Sequence, residues 1–313
     1  MIWNLVLKDR ISPPSGYCLL REGRREILVR AGYEDLLRRQ GLLDPAGLWA
    51  RIPPLPKMIG RGEILLIKGQ EEVAVRKYRH GGLLRRLSGD LFLFGKRPFR
   101  EVEVAEKVKS AGIPTLEILA AILERGWGKW YRGYLITKYL PGAVDLISFL
   151  SKQPHGEERR EVIKMAGELV RKMHQEGIYH ADLHLKNFLV EEEGLKVYLI
   201  DFDKSKSSVQ LSPSQRVKNL RRLDRSAEKL RGEGLPLTKE DKSIFCRAYL
   251  VGNKEIRPYI MAYLKRYRWY KLLYRWGWWI AKVLYPAKGP GENPSPEPPT
   301  DPQSPTRSGP PQG

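Results

Sequence analysis

Cysteine is scarce: Cys18 and Cys246 are the only two in 313 residues, far apart and outside any CxxC or Cys/His cluster. They offer neither a disulfide scaffold nor a structural zinc site, and fit a reducing compartment, with the cytoplasm as the default. Acidic residues are in deficit, 36 Asp and Glu against 56 Lys and Arg, for a formal net charge of +20. The surface is therefore expected to attract polyanions: nucleic acid, anionic lipid or phosphorylated glycan. Long apolar runs are missing as well. Met1 to Leu7 is apolar only briefly before Lys8-Asp9-Arg10, with no basic n-region, long h-region or cleavage site, so no secretion signal is expected. Trp269 to Tyr285 is apolar and aromatic but broken by Lys271, Arg275 and Lys282, which argues against a bilayer span and leaves a position on the membrane surface open. No internal repeat is visible.

The order of elements is readable from periodicity. Ile64-Leu-Leu-Ile67 and Val73-Ala-Val75 read as strands joined through Lys68-Gly69-Gln70. Pro98 to Ser110 has helical spacing, with Val104, Ala105 and Val108 on one face, closed by Gly112-Ile-Pro114. Tyr134 to Leu140 reads as a strand ended by Pro141-Gly142. Glu157 to His174 is a long amphipathic helix stopping near Gly177. Phe188 to Val190 and Val197 to Ile200 make a hairpin turning at Gly194, and the pattern from about residue 210 to Tyr285 is mainly helical. Pro286 to Gly313, dense in Pro, Gly and Ser, is expected to be a disordered tail.

The chemistry is concentrated after the long helix: His180, Asp182, Asn187 five positions on, and Asp201 beginning Asp-Phe-Asp. Phosphoryl transfer to an alcohol needs a carboxylate to orient the hydroxyl, a role for Asp182, and oxygen ligands for magnesium, which Asn187 and Asp201 supply. The hairpin between them would bring Asn187 and Asp201 to one edge. His180 and His184 also sit four apart, as zinc ligands on a helix do, but that reading needs a helix and an intervening Glu, and the segment has Asp182 after a helix-ending glycine. His180 is read as a buried orienting residue, and His184 either as a phosphate contact or as a structural residue.

These residues resemble the H-R-D-x-x-x-x-N and D-F-G loops of protein kinases, with Ala181 for Arg and Asp203 for Gly. More closely, His180-Ala-Asp-Leu-His184 with Asn187, Asp201-Phe-Asp203, Tyr78-Arg-His-Gly-Gly82 and Asn219 to Ser226 are similar to the lipopolysaccharide-core kinase family, which includes the Kdo and heptose kinases of Gram-negative bacteria. The resemblance spans roughly residues 58 to 230. It implies an α+β, bilobal protein-kinase-like fold with an antiparallel-sheet N-lobe and a mainly helical C-lobe. The division expected is an extension over 1–56, an N-lobe over 57–140, a C-lobe over 141–285 and the tail over 286–313.

The nucleotide clamp of such a fold needs a glycine turn, a cation on a strand and a helical carboxylate holding that cation. Gly60-Arg-Gly62 is the candidate turn, covering phosphates through backbone N–H groups. Val73-Ala74-Val75-Arg76 stands where kinases carry V-A-I-K. Strand alternation puts Ala74 and Arg76 on one face and Lys77 on the other, which favours Arg76 as the cation. Arg for Lys is not a conservative exchange at such a site. Glu101 shares the inward face of its helix with Val104, Ala105 and Val108 and is the expected partner of Arg76; a solvated charge near the helix start is the alternative. Backbone groups of Lys138 to Leu140 are placed to meet adenine. Asp203 removes the freely turning glycine, so an activation-loop flip is not expected, and a role in positioning the acceptor sugar is open to it.

Arg216, Lys218, Arg221, Arg222 and Arg225 follow soon after, either as a solvated helix face or as a site for carboxylates and phosphates of an anionic glycolipid. Arg268, Lys271, Arg275 and Lys282 fall opposite Trp269, Leu272, Trp276 and Ile280, which suits an interfacial anchor or a terminal helix packed on the large lobe. The expected cofactors are ATP and Mg2+, and the expected partners an anionic lipopolysaccharide core precursor and the cytoplasmic face of the inner membrane; nucleic acid is not expected. A compact atypical protein kinase and a non-catalytic pseudokinase binding membrane or RNA are the alternatives.

Overall fold

The computed structural model describes residues 12–51, 64–78, 91–93, 97–126, 128, 130–153, 155–263 and 265. Gly60, Gly62, residues 79–82, the aromatic segment 269–285 and the tail 286–313 lie outside them. Apart from Lys265, the described residues belong to one compact unit, Met1–Tyr263.

The first lobe is a seven-stranded antiparallel sheet. Its strands are β1 (Tyr17–Glu22), β2 (Arg25–Arg30), β3 (Ile64–Ile67), β4 (Val73–Lys77), β5 (Phe92–Leu93), β6 (Ile118–Arg125) and β7 (Trp130–Lys138), in the order β1-β2-β6-β7-β4-β3, with β5 beside β7. The first 56 residues therefore do more than extend the lobe: their hairpin adds two strands, joined through β2 to β6 with Leu28 opposite Ala121. Two short helices, α1 (Glu34–Arg39) and α2 (Pro45–Arg51), follow that hairpin. Leu37 and Leu42 after β2 pack with Val73, Val75, Ile122 and Ile136 on one face of the sheet. The other face takes helix α3 (Arg97–Ser110), which buries Phe99, Val102, Ala105 and Val108. Six consecutive buried residues open β6, Ile118 to Leu123, as expected of a strand covered on both sides.

The second lobe is mainly helical. Asp145 caps α4 (Leu146–Lys152) by accepting from the Ile147 and Ser148 backbone N–H groups. Helix α5 (Glu157–Gln175) turns Val162, Ile163, Ala166, Val170 and Met173 inward. At Gly167 a Cβ would sit 2.7 Å from the Phe245 carbonyl oxygen, so glycine is what lets α7 (Lys239–Leu250) approach. Helix α6 (Pro213–Gly232) begins in a capping box of Ser212 and Gln215 with Pro213 at its first turn.

Short strands frame the loops between α5 and α6. Strand β8 (Ala143–Asp145) pairs with β10 (Phe188–Glu191), which pairs with β11 (Lys196–Leu199); β9 (Ile178–Tyr179) pairs with β12 (Lys206–Ser207). The β10–β11 hairpin turns over residues 192–195, which include Gly194 as the sequence placed it, and takes its left-handed residue at Leu195 (φ 42°). Gly177 ends the α5 segment at φ 71°, and any Cβ there would run into the Ser208 carbonyl oxygen. That glycine lets the chain after the metal loop lie against the entry to the catalytic loop.

Candidate active site

A cleft of ≈ 280 Å³ lies between the lobes. Ala74, Arg76, Glu101, Asn187 and Asp201 line it together, so five residues separated by up to 127 positions in sequence (74 to 201) share one cleft. Lys138, Tyr139 and Leu140 line it from the strand leaving β7. Asp182 and His184 belong to the adjoining catalytic loop. Gly60 and Gly62 are outside the described residues.

The clamp is continuous. Arg76 donates through Nη2 to both oxygens of Glu101, at 2.6 and 2.8 Å, and through Nη1 to Asp201 Oδ1 at 2.7 Å. Tyr78 adds its hydroxyl to Glu101, and its ring is flanked by the guanidinium of Arg76 at 4.9 Å and that of Arg97 at 5.3 Å. Glu101 is 3% exposed, which settles against the solvated alternative. Burial pushes its carboxyl up to about 7 against the pull of Arg76. For Asp201 burial acts upward too, but the charge and hydrogen bond of Arg76 outweigh it and hold the carboxyl below its usual range. Lys77 points to the opposite face, its Nζ 6.0 Å from the Tyr134 ring centroid.

Asp203 is engaged by Arg97, the first residue of α3. Arg97 and Glu101 are one helical turn apart, and Asp201 and Asp203 are two residues apart, so the metal loop is tied to α3 directly by Arg97 and, from β4, through Arg76 bridging Asp201 and Glu101. Asp201 adopts φ 65°, a left-handed conformation unfavourable for a residue with a Cβ and held here by the surrounding pairs.

The catalytic loop is set by backbone bonds. The Asp182 N–H donates to His180 Nδ1 at 3.2 Å, which leaves His180 Nε2–H to donate to the Ile200 carbonyl at 3.0 Å. His180 is fully buried and stacks obliquely on Phe202, 5.1 Å between centroids, joining the catalytic and metal loops. Asn187 Nδ2 donates to the Asp182 carbonyl at 2.7 Å, and its own carbonyl accepts from the Ile200 N–H at 2.9 Å. The hairpin edge thus brings Asn187 and Asp201 together as its spacing predicts. His184 Nε2 lies 2.6 Å from Asp182 Oδ1, and this hydrogen bond, then the charges of Lys186 and Arg222, hold Asp182 below the usual carboxylate range. A carboxylate so placed stays ionised and has the chemistry to accept a hydrogen bond from a hydroxyl.

Beneath the loop lies a buried polar network. Asn219 of α6 donates to the His180 carbonyl at 2.6 Å and accepts from the His180 N–H at 3.2 Å and from His174 Nε2 at 3.1 Å; Tyr249 meets His174 Nδ1 at 2.8 Å. Burial drives the His174 imidazole down to about 4 and lowers His180 as well. A histidine kept neutral in the fold contributes stability above its unfolded pKa and loses it as the pH falls toward the folded one. Glu101, shifted upward, has the opposite sign. Comparison with His174→Gln isolates the histidine: the stability advantage of wild type in urea denaturation is expected to narrow by about 2 kcal/mol between pH 6.5 and 5.

The cationic stretch on α6 divides by role. Arg216 is buried against Asn253 and Glu255, Arg221 covers the Tyr263 ring at 5.0 Å, and Arg222 faces Asp182 at 3.9 Å. Arg97 carried no motif in the sequence, and its tie to Asp203 spans 106 positions.

Fold and site define a phosphotransferase of the protein-kinase-like class. Residues 59–249 match the lipopolysaccharide kinase (Kdo/WaaP) family, and the chain belongs to that family. It is 34% identical over 175 residues to the 3-deoxy-D-manno-octulosonic acid kinase of Vibrio cholerae, covering 54% of this chain and 72% of that protein. It is 31% identical over 238 residues to the enzyme of the same name from Xylella fastidiosa, covering 73% of this chain and 91% of that protein. A solved structure described as WaaP in complex with acyl carrier protein shares the fold, with a TM-score of 0.51 at 17% identity, covering 77% of this chain and 98% of that one. The chain is accordingly an enzyme that phosphorylates an alcohol acceptor, and the pseudokinase alternative falls away.

Proposed function

We propose that the chain transfers the γ-phosphoryl group of ATP to a hydroxyl of 3-deoxy-D-manno-octulosonic acid (Kdo) in the lipopolysaccharide inner core. The observation that carries this reading is the clamp of Arg76, Glu101 and Asp201 opening into the same cleft as Asn187, one loop away from Asp182. Kdo is preferred over heptose as acceptor because the matched relatives carry the Kdo kinase name.

Arg76, held by Glu101, steadies the phosphates. The Lys138 and Tyr139 N–H groups are already donated to Glu117 and Glu72, which leaves the Leu140 N–H for the purine edge. Asp182 accepts a hydrogen bond from the acceptor hydroxyl and aims its oxygen at the phosphorus in line with the leaving group. His184 orients Asp182 and is assigned to contact the transferred phosphoryl group. Gly60 and Gly62 are assigned to the phosphates through their backbone N–H groups.

The residues fit magnesium. Asn187 spends its amide nitrogen on Asp182 and keeps Oδ1 for a cation, and Arg76 takes only Oδ1 of Asp201. Among the described residues no group of three or more His, Cys, Asp or Glu side chains could hold a metal alone, as expected where nucleotide phosphates complete the shell. Asn187 and Asp201 would hold the metal, which would supply neutralisation of phosphate charge there.

The reaction is placed at the cytoplasmic face of the inner membrane. Support comes from the net charge of +20 and the acceptor class; no helix among the described residues is long and apolar enough to cross a membrane. Incubation with radiolabelled ATP and lipid A carrying Kdo, with and without heptose, tests the reading. Label is expected on the heptose-free acceptor and absent with Asp201→Ala. Label that requires heptose, or that appears on protein alone, would sink it.

A further inference from the structure

Asp182 has three basic side chains around it, each in a different position. His184 is in hydrogen-bond contact with it. Lys186 lines the cleft. Arg222 does neither: it is absent from the cleft wall, stands 3.9 Å from Asp182 Oδ1, beyond hydrogen-bond reach, and its side chain is 34% exposed. A guanidinium at that distance adds little to the orientation of Asp182, which His184 already fixes.

The support beneath Arg222 is firm. It lies on the face of α6 that carries Asn219 and Ser226, one turn to either side. Asn219 grips both backbone polar groups of His180, and Ser226 Oγ accepts from the Leu185 N–H at 3.5 Å. The helix is thereby fixed in register with the catalytic loop, which sets Arg222 beside Asp182 and off the cleft wall. A hydroxyl acceptor that Asp182 is to receive must come within reach of such a residue.

We propose that Arg222 is the acceptor-reading residue, holding by its planar fork the carboxylate of the sugar acid whose hydroxyl Asp182 receives. This rests on the Kdo reading above. Arg is suited to a carboxylate because two parallel N–H groups match its two oxygens. A neutral sugar would leave that guanidinium unmatched beside the reacting centre, so the residue selects for an acid as well as binding one.

The test uses the full chain, radiolabelled ATP and two acceptors: lipid A bearing Kdo, and the same acceptor with the Kdo carboxyl converted to its carboxamide. Wild type is expected to prefer the acid by about 10- to 100-fold in kcat/KM, chiefly through acceptor KM, the range for a hydrogen-bonded charge pair. Arg222→Gln should lose that factor on the acid and little on the amide, so the preference collapses toward unity at a nearly constant KM for ATP. Arg222→Lys should recover part of it. Removal of the lipid A phosphates should leave the pattern intact. The role of Arg222 is overturned if Arg222→Gln weakens acid and amide equally, if it weakens neither, or if the effect follows the lipid phosphates. Wild type that labels only a heptose acceptor overturns the Kdo reading itself, and this assignment with it.

Discussion

Asp182→Asn is expected to lower kcat by about 10³-fold while changing the KM for ATP by no more than about twofold. The asparagine keeps the size of the side chain and the backbone bonds that set the loop, namely Asp182 N–H to His180 and Asp182 C=O to Asn187. What it removes is the anionic acceptor for the hydroxyl proton. His184 Nε2 loses its ionised partner at the same time and keeps only a neutral acceptor. Because Asp182 does not line the nucleotide cleft, nucleotide binding should survive. Measured by steady-state kinetics with both substrates varied, a loss shared by kcat and the ATP KM would contradict the separation of roles.

Arg76→Met has a second large effect, on stability as well as rate. It takes the phosphate-facing cation away, for which a loss of about 10²- to 10³-fold in kcat/KM is expected. It also leaves Glu101 buried without its partner. Breaking a buried pair by removing one member costs on the order of 3 kcal/mol. That penalty has a pH signature. A carboxyl whose folded pKa is raised above its unfolded one contributes stability below the unfolded value and loses it as pH rises through the folded value. Burial pushes Glu101 up to about 7 with Arg76 in place; without that cation, burial and the charges of Asp201 and Asp203 carry the value further up. Arg76→Met should therefore be far less stable than wild type at pH 8 and closer to it at pH 5.5. Adding Glu101→Gln should restore stability at pH 8 without restoring activity. Thermal denaturation at the two pH values reads the first effect, and a pH-independent loss would contradict it.

The parts legible in the sequence are those where chemistry and local periodicity coincide. Asp182, Asn187 and Asp201 carry a spacing that only a loop, a hairpin and a second loop satisfy, and strand alternation separates Arg76 from Lys77. Helical spacing alone puts Glu101 beside Val104, Ala105 and Val108, and all four are buried. Other features depend on pairings that no local pattern encodes. The β1–β2 hairpin joins the sheet across about a hundred residues, and Ile118 to Leu123 is an unbroken apolar run with neither the alternation of a half-buried strand nor the period of a helix. The same holds for the arginines of α6. Sequence places five cations in one stretch; burial assigns Arg216 to structure, stacking assigns Arg221 to Tyr263, and distance alone singles out Arg222. Arg97 is the clearest omission, because its meaning comes wholly from Asp203.

That last pair bears on how such an enzyme is governed. Many kinases keep the metal loop in two resting places and use modification of the chain to choose between them. Here both acidic ends of the loop are fastened by arginines, one on β4 and one at the start of α3, and the residue where a glycine would hinge is one of the fastened ends. Swinging that loop away would have to break both ion pairs at once, so the cost of moving either acidic end falls on the other as well.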